Sequence, residues 1–194
     1  MPSTTRPLRL RRVHPAAAFL LAVTAAAWWP ALVQATTPEP TVSAALQDKQ
    51  LQGNARLRVW GFEVYDARLW TPVGFRHSQY AAHAFALELQ YLRRLEGVAI
   101  ASRSIDEMRR VGNFSDAQAQ SWLAALRELF PNVSAGERIT GVNLPGVGAE
   151  FWVNGQRVGL VSDLVFARLF FGIWLDERTS EPKMRAQLLQ GLPP

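Results

Sequence analysis

A chain of 194 residues that is 48% hydrophobic holds enough apolar sequence for one medium domain with a single core. It has no cysteine, which excludes disulfides, thiol nucleophiles and thiolate metal sites. The formal charge of +5 gathers at the start: residues 1–35 hold four arginines and no acid, leaving 17 basic against 16 acidic side chains, which is no phosphate-tracking field and excludes nucleic acid as the expected partner.

The arginine-rich opening (Arg6, Arg9, Arg11, Arg12), the apolar stretch from Ala16 to Ala27 and the sequence Val33-Gln34-Ala35 form a secretory signal layout, with cleavage expected after Ala35. A retained membrane anchor is the competing reading, but Pro30 breaks an apolar run already short for the roughly 20 residues of a spanning helix. Membrane contact is therefore expected only through the signal segment before cleavage. Residues 36–45, opening on a threonine- and proline-rich stretch, read as a disordered spacer, and the folded domain is expected over 46–194.

From Leu51 to Trp70 the chain runs LQGNARLRVWGFEVYDARLW, aromatic and β-branched sequence that predicts two adjoining strands with a bend at Gly61. Thr71 to Ala82, with Pro72 and Gly74, reads as a connection. The strict alternation of Phe85, Leu87, Leu89 and Tyr91 with Ala86, Glu88 and Gln90 predicts a third strand with one buried face. Ile100, Ser104, Met108 and Val111 recur at helical steps, predicting a helix over Gly97 to Val111. Ser115 and Asp116 open a second helix carrying Trp122, Leu126 and Leu129, ended by Pro131. Strands return at Glu137 to Leu144 and Ala149 to Val153, and Asn154-Gly155 is a hairpin signal leading into Gln156 to Val161. Asp163 caps an apolar helix through Trp174, and Pro182 sits in the first turn of a last helix ending near Leu189.

This order of strands, two helices, a hairpin and two closing helices predicts an α+β fold, an antiparallel β-sheet with helices packed on one face. The acid–arginine clusters Asp106-Glu107 with Arg109-Arg110, and Asp176-Glu177-Arg178, read as solvated charges at helix ends. His77 and His83 are the only histidines after the signal segment, with no ligand cluster beside them, so neither a metal nor a cofactor is expected. Ser102, Ser104 and Asp106 lack a nearby histidine and a nucleophile elbow, and the glycines of Gly141 to Gly148 do not join a strand to a helix as a dinucleotide fingerprint requires.

Several segments, in order, resemble the chalcone isomerase-like family: the Gly53 turn, the arginines after it, the kinked strand and Val64-Tyr65-Asp66-Ala67-Arg68-Leu69-Trp70. Gly146 to Gly148 before a strand, the hairpin Asn154 to Gly159, and Trp174-Leu175-Asp176-Glu177-Arg178-Thr179-Ser180-Glu181-Pro182 extend the resemblance over Leu51 to Leu189. It implies an open-faced sandwich in which an arginine after the glycine turn and a tyrosine hold an anionic group, a carboxylate in the fatty-acid-binding relatives. A guanidinium fork and a phenol suit that task. Here the arginine is Arg56 or Arg58, the tyrosine is Tyr65, and Tyr91 on the third strand is a further candidate.

The other catalytic positions of the family's isomerases match poorly. A tyrosine and an asparagine seven residues apart on the first helix correspond to Val98 and Ile105, and a threonine near the end of the penultimate helix corresponds to Ile173. A cleft lined by Val98, Ile105 and Ile173 with one arginine implies a container for a small apolar or fatty-acid-like molecule, without catalysis. The alternatives are an intramolecular isomerase or lyase of chalcone isomerase type, in which the arginine stabilises an oxyanion, and an envelope protein-interaction module using exposed aromatics. The signal layout and the resemblance together place the expected location in a bacterial periplasm.

Overall fold

The computed structural model describes residues 42–194. The expected signal segment and the first part of the expected spacer lie outside the described residues.

Strand β1 (Gln50–Val59) turns into β2 (Phe62–Thr71) through Trp60 and Gly61, both at positive φ (51° and 84°), a two-residue turn whose twist matches that of the flanking strands. After a 3-10 helix at His77–Ala82, inside the stretch expected to be a plain connection, β3 (Phe85–Tyr91) pairs with β2. Helices α2 (Gly97–Val111) and α3 (Asp116–Leu129) follow, then β4 (Arg138–Leu144), β5 (Gly148–Val153) and β6 (Gln156–Val161). The six strands lie side by side in chain order and every pairing is antiparallel. Asn154 and Gly155, again at positive φ (50° and 87°), close the β5–β6 hairpin where the sequence signalled it. Helices α4 (Leu164–Leu175) and α5 (Pro182–Leu188) complete the chain.

Strand alternation divides the sheet into two unlike faces. Ala67 and Leu69, Leu87 and Leu89, Ile139 and Phe151 point one way into the main core, joined there by residues of α2, α3, α4 and α5. Gly141 stands among them, and an added Cβ would press Phe171 at 3.1 Å; its bare backbone lets that ring lie on the sheet. Helix α4 is apolar around nearly its whole circumference and is buried from Phe166 to Leu175 except at Arg168, as such a helix must be. Asp163 caps it, accepting from the backbone N–H groups of Val165 and Phe166 at 2.8 and 3.0 Å, and from the Trp122 indole at 3.0 Å, which ties α4 to α3.

The opposite face carries a band of charges. Arg68 donates to Glu88 at 3.1 Å, and Arg138 stands 3.9 Å from the same carboxylate. Beside this band, Ala86, Val142 and Trp152 form a second apolar cluster with Ala45 and Leu46 of a short helix, α1 (Val42–Leu46). Two expectations change here. The spacer assigned to residues 36–45 ends in a helix, because Ala45 and Leu46 find apolar surface to cover. Strand β3 is buried on both faces apart from half-buried Gln90, not on one, with Ala86 sealed on the α1 side.

Candidate functional site

Between the first strands of the sheet and helices α2 and α4 lies a cavity of about 550 Å³, within the usual range for small-molecule sites. Its floor is built by alternate residues of the core face, Leu57, Tyr65, Leu87, Leu89, Tyr91, Ile139 and Phe151. Its roof is Ile100, Arg103, Ser104 and Glu107 of α2 with Phe170, Ile173 and Trp174 of α4, and Ser180 and Glu181 stand beyond the end of α4. A bulge shapes the opening. The register passes from Leu57↔Tyr65 to Arg58↔Glu63, so Val64 has no partner and joins the lining, as do Val59 and Trp60 at the hairpin end.

Few polar groups interrupt these walls. Tyr65 and Tyr91 face each other across β2 and β3 with ring centroids 6.0 Å apart, edge to face. The Trp174 indole N–H donates to the Tyr65 hydroxyl at 3.0 Å. Burial pushes both phenols well above the ordinary tyrosine range; Glu181 and Glu107 add to this at Tyr65 while the Trp174 bond opposes it, and Tyr65 adds to it at Tyr91. Both side chains therefore stay neutral at physiological pH, able to donate a hydrogen bond and unable to act as phenolate bases. The Ser104 hydroxyl is already used, donating to the Ile100 carbonyl at 2.9 Å.

Glu107 is the buried charge of the site, 6% exposed. Arg103 Nη2 lies 2.6 Å from its Oε1 and Arg110 Nε lies 3.4 Å from its Oε2. The Oε1 contact has ion-pair distance but not hydrogen-bond direction, so that oxygen keeps an unused acceptor lone pair. Arg103 itself is largely exposed, at the rim.

The residues singled out from the sequence separate cleanly. Tyr65, Tyr91 and Ile173 line the cavity. Arg56 and Arg58 do not. Arg56 donates from Nε and Nη2 to the Asp66 carboxylate at 2.6 and 2.8 Å and from Nη1 to Glu63 at 2.9 Å, and Arg58 Nη2 donates to Glu63 at 2.7 Å. The Asp66 and Glu63 bonds push the Arg56 guanidinium further up. Both arginines belong to the charged face of the sheet, opposite the cavity. Val98 is exposed, and Ile105 is buried in the core outside the cavity wall. At about 100° per residue, these two lie roughly 140–180° around α2 from Ile100 and Glu107.

Arg103, Glu107, Trp174 and Trp60 were the residues missed. Glu107 is not the solvated helix-end charge expected of it; its neighbour Asp106 is. The signal was present in the helical period: Arg103 and Glu107 follow Ile100 by three and seven residues, on the same side as the apolar stripe.

The family described as chalcone isomerase-like matches residues 31–190 of this chain. A protein of Haemophilus influenzae, described only as uncharacterized, is 30% identical over 138 residues, which are 71% of this chain and 66% of the relative's length. Among solved structures, a fatty-acid binding protein of Arabidopsis thaliana superposes with a TM-score of 0.57 at 14% identity, covering 73% of this chain and 87% of the plant protein. At that identity the likeness is one of fold.

Proposed function

The chain belongs to the chalcone isomerase-like family, and we propose that it is a non-catalytic carrier of a small apolar or fatty-acid-like molecule. The observation that carries this reading is the cavity itself: about 550 Å³, walled mainly by apolar side chains, with its polar side-chain groups confined to two neutral phenols, the indole N–H groups of Trp60 and Trp174, Ser104, Ser180 and the charges Arg103, Glu107 and Glu181. An apolar tail lies along Leu87, Leu89, Ile139, Phe151 and Phe170, where its burial is worth about 0.8 kcal/mol per methylene. The head accepts from Tyr65 and Tyr91, and an anionic head competes with Glu107 for Arg103. The plant neighbour is described as a fatty-acid binding protein, which agrees with this ligand class. The signal layout of residues 1–35 supports an exported, periplasmic carrier.

An isomerase of this fold draws on a guanidinium directed at the reacting oxygen. Among the described residues Arg103 is the one basic side chain in the cavity wall, and it stands at the rim beside Glu107. With Arg56 and Arg58 occupied on the other face, no observation favours turnover.

Mass spectrometry of molecules extracted from natively purified protein tests the proposal. Wild type and the Arg56→Ala, Arg58→Ala double variant are expected to carry the same stoichiometric amphiphile, whereas Leu89→Trp, folded by circular dichroism, carries little because the indole fills the cavity. An empty wild type, or a full load in Leu89→Trp, overturns the carrier reading.

A further inference from the structure

The tip of the β1–β2 hairpin exposes more apolar surface than folding or the cavity lining requires. Trp60 is 94% exposed, on left-handed backbone where asparagine, aspartate or glycine is the ordinary choice. A non-glycine residue there costs about 1–2 kcal/mol. Beside it Phe62 is 62% exposed and Val59 is 40% exposed. Val59 and Phe62 are direct cross-strand partners, so both side chains stand on the cavity side of the sheet. The tip therefore presents three apolar side chains to solvent beside the cavity opening, where Val59 and Trp60 are already part of the lining.

Arginines stand nearby. The Arg93 guanidinium lies 5.2 Å from the centre of the Phe62 ring, Arg94 follows it in sequence and is exposed, and Arg103 stands at the opening. The acids nearby are largely committed: Glu63 to Arg56 and Arg58, and Glu107 to Arg103 and Arg110, with Glu96 and Glu181 remaining. Among the described residues Arg93 and Arg94 have no carboxylate partner within ion-pair distance. A convex tip of two aromatic rings is too small for a stable protein interface, since the rings offer at most about 500 Å² together against the roughly 800 Å² each partner buries. A bilayer sets no such minimum. Tryptophan and phenylalanine settle at the headgroup boundary, and arginine meets anionic headgroups for about 1 kcal/mol each.

We propose that this hairpin tip docks the protein on an anionic lipid surface, with Trp60 and Phe62 in the headgroup layer, Arg93 and Arg94 against the lipid phosphates and the cavity opening turned to the bilayer. Two rings and two charges make a weak, reversible contact, suited to a protein that loads from a membrane and leaves it. On this proposal membrane contact extends beyond the signal segment, to which the sequence alone confines it. The docking stands on the surface alone; loading rests also on the carrier reading.

Co-sedimentation with phosphatidylcholine vesicles, with and without about a quarter phosphatidylglycerol, tests docking. Wild type is expected on the phosphatidylglycerol vesicles only, with salt weakening the contact. Trp60→Ser with Phe62→Ser, and separately Arg93→Glu with Arg94→Glu, should each lower the partition at least about tenfold. Val73→Ser, at an equally exposed apolar residue (88%) beyond the far end of β2, should leave it unchanged. The proposal is overturned if wild type ignores these vesicles, if either folded double variant binds as wild type does, or if Val73→Ser weakens binding as much. The extracted load of the same proteins separates the two readings: a loaded protein that ignores vesicles refutes docking alone, and an empty protein that binds them refutes the carrier alone.

Discussion

Tyr65 carries two duties through one oxygen, accepting the Trp174 indole proton and offering its own to the cavity. In Tyr65→Phe the buried indole N–H loses its acceptor, at a cost of about 1–3 kcal/mol. Trp174→Phe leaves a hydroxyl still open to the cavity, so its cost comes from lost packing, and the double variant should lose less than the two single losses together. Urea unfolding of the four proteins measures this cycle, and full additivity would show that the bond contributes nothing. Tyr65 was legible through the family resemblance, and strand alternation sets it on the cavity face with Ala67 and Leu69. The arginines misled for the same geometric reason: Arg56 and Arg58 are two apart, so they share a face, and Asp66 and Glu63 stand across the hairpin to pair with them. Glu107 was misread with Asp106 because neighbours in sequence point about 100° apart on a helix.

The β1–β2 hairpin is a local element whose stability and use pull in opposite directions. Trp60→Asn places a residue that tolerates left-handed backbone at the first turn position, before Gly61, and is expected to raise unfolding stability by about 0.5–1 kcal/mol. Thermal or urea unfolding reads the gain, and a loss instead would mean that the Trp60 ring packs on the fold more than its exposure allows. Hairpins and long helices were the most legible elements, because Asn154-Gly155, the Ser115 and Asp163 caps and the period of α2 each act within a few residues. The Ser115 cap closes a full capping box with Gln118, a detail the sequence pattern allows but does not demand. Helix α1 and the 3-10 helix at His77–Ala82 escaped because neither has a period of its own. Their order comes from distant partners, α1 from the second apolar cluster and the 3-10 helix from Tyr80, whose hydroxyl donates to the Arg168 carbonyl of α4 at 2.9 Å.

The fold as a whole closes on His77, where the β2–β3 connection meets the end of the chain. Its backbone N–H donates to the Pro193 carbonyl at 3.5 Å, and its Nδ1 is buried without a partner. Burial lowers the affinity of this imidazole for a proton, Arg185 lowers it further, and Glu177 opposes them. The unfolded chain, titrating near its usual value of about 6.5, thus binds more protons than the native protein as pH falls through that region. Stability must rise with pH there, and part of it is lost on acidification below about 6.5. A separate limb lies lower. The carboxylates of Asp66, beside Arg56, Glu63, beside Arg58 and Arg56, Asp176, beside Arg178, and Glu137, which accepts from the Ser134 backbone, are all held below their ordinary range. Their contributions are full above the unfolded values of about 4 and vanish as pH drops through the lower native ones. Urea midpoints from pH 8 to pH 3 should fall in two stages, and His77→Asn should remove the upper stage while leaving the lower intact. A single acid limb in wild type, or an upper stage that survives in His77→Asn, would place the neutral-range proton elsewhere in the molecule.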